Sequence, residues 1–70
     1  MTEAQATIQL DQFMKVTGMV GTGGQAKVLI QSGQVLLNGQ VETRRKKKLT
    51  SGDSVTYGGR TLVVKFDQET

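Results

Sequence analysis

The sequence predicts a small α+β domain: two N-terminal helices packed against a mostly antiparallel sheet of about four strands. Three observations carry that expectation. Apolar residues recur at helical spacing as far as Ser32, then alternate after Gly33. Asn38-Gly39 and Gly58-Gly59 are turn formers placed between strand-like runs. The chain has 70 residues, room for one domain with a small core.

Residues 1–6, "MTEAQA", offer little that can pack, and they are expected to fray, as are residues 67–70. In "IQLDQFMKVTG", Leu10, Phe13 and Met14 form one apolar stripe of a short helix. Asp11 falls in its first turn, where negative charge suits the helix dipole, and Gly18 is a natural stop. A second helix follows in "TGGQAKVLIQSG", with Thr22 as N-cap and Gly33 just past the end. Ala26, Leu29 and Ile30 share its buried face; Gly24, Lys27 and Gln31 share the other. Joined by "MVG", the two make a compact hairpin of helix-turn-helix type.

The Asn38-Gly39 pair suits a type I′ turn that sets Leu36 opposite Val41. Next come the five consecutive cations Arg44, Arg45, Lys46, Lys47 and Lys48, read as extended chain with neighbours on opposite sides. Leu49, the turn "TSGD" and the strands "SVTY" and "TLVVKF" complete the domain.

Net charge is +3, but between Gln12 and Phe66 nine Lys/Arg face only two acids, Glu42 and Asp53. That balance points to a polyanionic partner, nucleic acid ahead of an anionic membrane. Histidine and cysteine are absent, so metal sites and thiol chemistry find no residues, and no cofactor is expected. No apolar run exceeds four or five residues, so a soluble, cytoplasmic protein is expected. Enzymatic activity is not expected: Glu42 and Asp53 have structural uses at a strand end and in a turn.

"GTGGQA" formally matches the dinucleotide fingerprint G-x-G-x-x-A, but the preceding segment is helical and no parallel βαβ unit fits this length. The glycines have another use. Thr22, Gly23, Gly24 and Gln25 open a helix whose first N–H groups are free to meet a backbone phosphate, with Lys27 a turn on. The competing explanation is close packing of the two helices. Lys15 and Arg60 extend the positive patch if the helices lie beside the hairpin. Phe13, Tyr57 and Phe66 are the only aromatics, and both phenylalanines read as core. Recognition is therefore expected through backbone and shape, as in structured RNA, rather than by stacking on unpaired bases. A DNA-reading helix would offer base edges only Gln25, Lys27 and Gln31.

Taken together, Gln25-Ala26-Lys27, Leu29-Ile30, Gly33, Val35, Asn38-Gly39 and Gly52-Asp53 resemble, in order and spacing, the S4 RNA-binding domain, or alpha-L motif. The likeness covers about residues 8–57. It extends to "GGQAK" and "VETRRKKK", which are similar to stand-alone bacterial S4-like proteins of this length. It implies two helices on a small sheet, with an RNA-contacting face made by the second helix and the hairpin. Where the family usually has Ser-Arg, this chain has Thr22-Gly23, which shifts the expected load to Lys27 and Arg44–Lys48.

The expectation is thus a monomeric, non-enzymatic module for structured RNA (ribosomal or transfer RNA, with the ribosome as one setting), with no membrane and no small-molecule substrate. Its contacts would be Lys15, Thr22, Gly23, Gly24, Gln25, Lys27 and Arg44 to Lys48. The alternative is an adaptor that docks on proteins through the Val35–Asn38 strand or the C-terminal strand edge.

Overall fold

The computed structural model describes residues 6–66, so the expected fraying of 1–6 and 67–70 lies, apart from Ala6, outside the described residues. Eight elements follow one another: β1 (Ile8–Gln9), α1 (Leu10–Val16), α2 (Gly23–Gln31), β2 (Leu36–Leu37), β3 (Gln40–Val41), β4 (Lys48–Leu49), β5 (Ser54–Tyr57) and β6 (Arg60–Val63). The α+β expectation holds, with one correction at the start. Ile8-Gln9 is strand rather than helix, and it pairs antiparallel with β4 in a separate two-stranded ribbon, Ile8 opposite Leu49.

Both helix ends follow from local chemistry. Thr22 caps α2 by accepting a hydrogen bond from the Gln25 N–H at 3.1 Å. Gly33, at φ +83°, lets the chain leave that helix: its N–H donates to the Ile30 carbonyl, and that of Gln34 to Leu29. Gly18 does the same for α1 at φ +80°, donating to the Lys15 carbonyl. Leu10, Phe13, Met14, Ala26 and Ile30 from the helices meet Val35, Leu37, Leu49, Val55 and Val64 in one buried core.

The main sheet runs β3-β2-β5-β6, all antiparallel. Leu36 faces Val41 across a two-residue turn with φ +53° at Asn38 and +84° at Gly39, the backbone a type I′ turn demands. Gly58-Gly59 closes the second hairpin in the same left-handed region. The last strand is shorter than "TLVVKF", although the Val64 N–H and carbonyl still bond Asp53 and Gly52.

Asn38 and Asp53 form one lock between distant turns. The Asn38 side chain accepts from the Ser54 N–H at 2.9 Å and donates to the Asp53 carboxylate at 3.1 Å. The other Asp53 oxygen accepts from the Thr50 N–H at 2.9 Å. Those bonds, from Thr50 first and then Asn38, hold the Asp53 carboxyl below its ordinary 3.8. A carboxyl with a lowered folded pKa stabilises the fold fully above its unfolded value, and that contribution disappears as pH falls through the folded one. Acid titration is therefore expected to show stability falling below about pH 4. Urea midpoints for Asp53→Asn should be lower than wild type at pH 7 and depend less on pH in that acid range.

Candidate nucleic-acid interface

The five cations do not lie in extended chain. The Lys47 N–H donates to the Arg44 carbonyl at 3.2 Å, so the backbone turns at Arg45-Lys46 and only then enters β4. Nothing in "TRRKKKL" is a turn former; the turn comes from tertiary contact. A helix start leaves N–H groups without partners inside the helix. Here the Leu10 N–H donates to the Lys47 carbonyl at 2.9 Å and the Asp11 N–H to the Arg45 carbonyl at 3.0 Å. The basic run thus completes α1, and the β1–β4 ribbon holds its far end. It is part of the fold.

Acids around the turn offset its self-repulsion. Glu42 accepts from the Arg44 N–H at 3.0 Å and from its guanidinium Nε at 2.9 Å. Those bonds, the guanidinium's first, hold the Glu42 carboxyl below its ordinary 4.5, and Glu42 raises the Arg44 pKa in return. The charge of Lys47 adds smaller pulls in the same direction on both Glu42 and Asp53. Behind the turn, Asp11 is buried in the first turn of α1, with its Oδ1 unbonded among the described residues. Arg44, Lys46 and Lys48 are exposed; Arg45 and Lys47 are half-buried.

At the start of α2, the side chains expected to touch a ligand are partly engaged already. Thr22 caps the helix, and the Gln25 Oε1 accepts from the Gly21 N–H at 2.9 Å, a variant of the capping box. The N–H groups of Gly23 and Gly24 have no partner among the described residues. Close helix packing does not account for these glycines. A Cβ on Gly23 would meet nothing within 4 Å, and one on Gly24 only the Thr22 hydroxyl at 3.9 Å. Gly24→Ala is accordingly expected to stabilise the free domain by about 0.5 kcal/mol, read as a raised urea midpoint.

Lys27 is exposed on α2, Lys15 in the last turn of α1, and Arg60 at the start of β6 opposite Tyr57. The expected residues therefore fall into two groups. Arg44 to Lys48 gather at the N-terminal end of α1. The Thr22–Gln25 group follows the loop that leaves its C-terminal end, a loop folded back by the Val20 N–H bonding the Met14 carbonyl. Seven residues of helix separate those ends by about 10 Å.

Phe13 is buried, while Tyr57 and Phe66 are partly buried against the core, so no aromatic among the described residues is fully exposed. No cluster of His, Cys, Asp or Glu fit for a metal occurs among the described residues, and no helix there is long and apolar enough to cross a membrane. Two contributions were not anticipated from sequence: the Ile8-Gln9 strand and the grip of Glu42 on Arg44. The second had a signal, since an acid two places before a cation lies on the same side of an extended chain.

A family model described as S4 domain matches residues 2–65. The chain is 37% identical over 57 residues to the Escherichia coli (strain K12) protein named "Putative RNA-binding protein YbcJ", covering 81% of each chain. It is 38% identical over 52 residues to the Bacillus subtilis (strain 168) protein named "Probable ribosome maturation protein RlbA", covering 74% of this chain and 73% of that one.

Proposed function

The chain belongs to the S4 domain family, and from that membership we propose that it is a non-enzymatic module that binds structured RNA through backbone phosphates, in the setting of the ribosome. The observation that carries this reading is the basic turn. Five consecutive cations sit on backbone fixed by α1, by β1 and by its own turn bond. That anchoring completes α1, and it also holds the five side chains at a fixed spacing. Arginine forks and lysine point charges neutralise phosphates, while fixed backbone sets their spacing.

The start of α2 adds a second contact in this reading. Gly23 and Gly24 offer a phosphate oxygen two N–H groups that have no partner among the described residues, and Lys27 supplies charge. The shortage of open aromatics supports duplex or folded RNA over unpaired strands. The names of the two relatives, one RNA-binding and one of ribosome maturation, support the choice of partner.

Fluorescence anisotropy with a labelled ribosomal RNA stem–loop tests the proposal. For three to five neutralised phosphates, log K should fall against log salt with a slope of roughly −2 to −4.5. An affinity that ignores salt, or no binding in low salt, would rule it out and favour docking on a protein.

A further inference from the structure

Resting on the RNA reading, we propose that Glu42 withholds Arg44 from the phosphate-binding set, so that Glu42 limits the affinity of the basic turn. The carboxylate gathers three donors from this one residue: the backbone N–H at 3.0 Å and Nε at 2.9 Å on Oε2, and Nη2 at 3.3 Å on Oε1. Fork-on-carboxylate is the arrangement by which arginine holds a phosphate, and the acid occupies the Nε–Nη2 edge, one of the two on which a phosphate oxygen pair can bind. Glu42 and Arg44 form the only ion pair among the described residues.

The exposures of the two side chains decide how this pair looks from outside. That of Arg44 is 70% exposed and that of Glu42 only 13%, so the guanidinium lies over the acid. An approaching polyanion meets a pair that is close to neutral. With one residue between them, Glu42 acts as a tethered competitor present at high effective concentration. The other exposed cations of the turn, Lys46 and Lys48, have no such acid among the described residues. Lys46 and Lys48 each neutralise a phosphate and release the cations condensed on it, which gains affinity; Arg44, already neutralised by Glu42, releases fewer.

Glu42→Gln should therefore be a gain-of-function change. With Arg44 freed, affinity for an RNA stem–loop at 0.1 M salt should rise roughly five- to eightfold, and the salt slope should steepen by roughly 0.7–0.9. The double variant Glu42→Gln, Arg44→Gln removes both charges and leaves no unpaired partner, so it should bind with the wild-type slope and within about twofold of wild-type affinity. Amide spectra establish that each variant is folded, and the double variant decides the matter if the single one is not.

Tighter, more salt-sensitive binding by Glu42→Gln supports the inference, as does a wild-type slope in the double variant. A folded Glu42→Gln with unchanged or weaker binding overturns it. So does a double variant whose slope is shallower by one contact, because Arg44 would then have been touching phosphate all along. A wild-type protein that binds no RNA removes the functional reading itself, a result distinct from wild-type binding that Glu42→Gln leaves unaltered.

Discussion

Replacing Lys46 and Lys48 together by glutamate is expected to weaken binding to a structured RNA stem–loop by roughly 25-fold or more at 0.1 M salt. Each lost phosphate contact accounts for roughly five- to eightfold at that salt concentration, and the reversed charges add repulsion. The salt slope should become shallower by roughly 1.4–1.8. These two positions are chosen because the fold does not use their side chains. Both are exposed, and neither side chain makes a hydrogen bond or ion pair among the described residues. Backbone holds both: Lys48 through the pairing of β4 with β1, and Lys46 in the turn closed by the Lys47 N–H on the Arg44 carbonyl. Thermal melts should thus change little, within the roughly 0.5 kcal/mol usual for surface substitutions. A folded double variant with wild-type affinity would show that these charges do not meet the RNA.

The opposite separation is expected one residue on. Leu49 has no exposed surface and lies in the core between two polar neighbours. Leu49→Ala should cost about 2–5 kcal/mol through lost burial and the cavity left behind. A domain of this length has a total stability of roughly 4–10 kcal/mol, so a large fraction is at stake. The melting temperature should fall by roughly 10 °C or more. Leu49→Met, which nearly conserves volume, should cost less than about 1.5 kcal/mol. Scanning calorimetry distinguishes the two. Because Leu49 carries β4, and β4 fixes the end of the basic turn, RNA affinity should fall with Leu49→Ala in step with the unfolded fraction. At a temperature where the variant is fully folded, affinity should return. An alanine variant as stable as wild type would mean that the ribbon does not anchor the turn.

The elements readable in the sequence are those whose cause is local. Asn38-Gly39 specifies a hairpin because both positions require positive φ, and Thr22 and Gly33 mark the ends of α2 through one side chain and one missing Cβ. The elements that escaped have distant causes. Ile8-Gln9 continues the helical pattern of Leu10, yet it becomes strand because Lys48-Leu49 lies beside it. The turn at Arg45-Lys46 contains no glycine, asparagine or proline, and it exists because helix-start N–H groups need the carbonyls of Arg45 and Lys47. The residue types of the candidate site were legible as a run of charge. Their inequality was not, since it depends on which cation pairs with an acid and which side chains the fold half-buries.

The most direct test of RNA binding by this turn is a titration of isotope-labelled protein with a structured RNA stem–loop, followed through backbone amide shifts at two salt concentrations. RNA binding by the turn should give shifts concentrated in residues 44–48 and 22–27 that shrink at the higher salt. Amides that stay still at low salt, or shifts confined to the outer strand at residues 60–63, would contradict it.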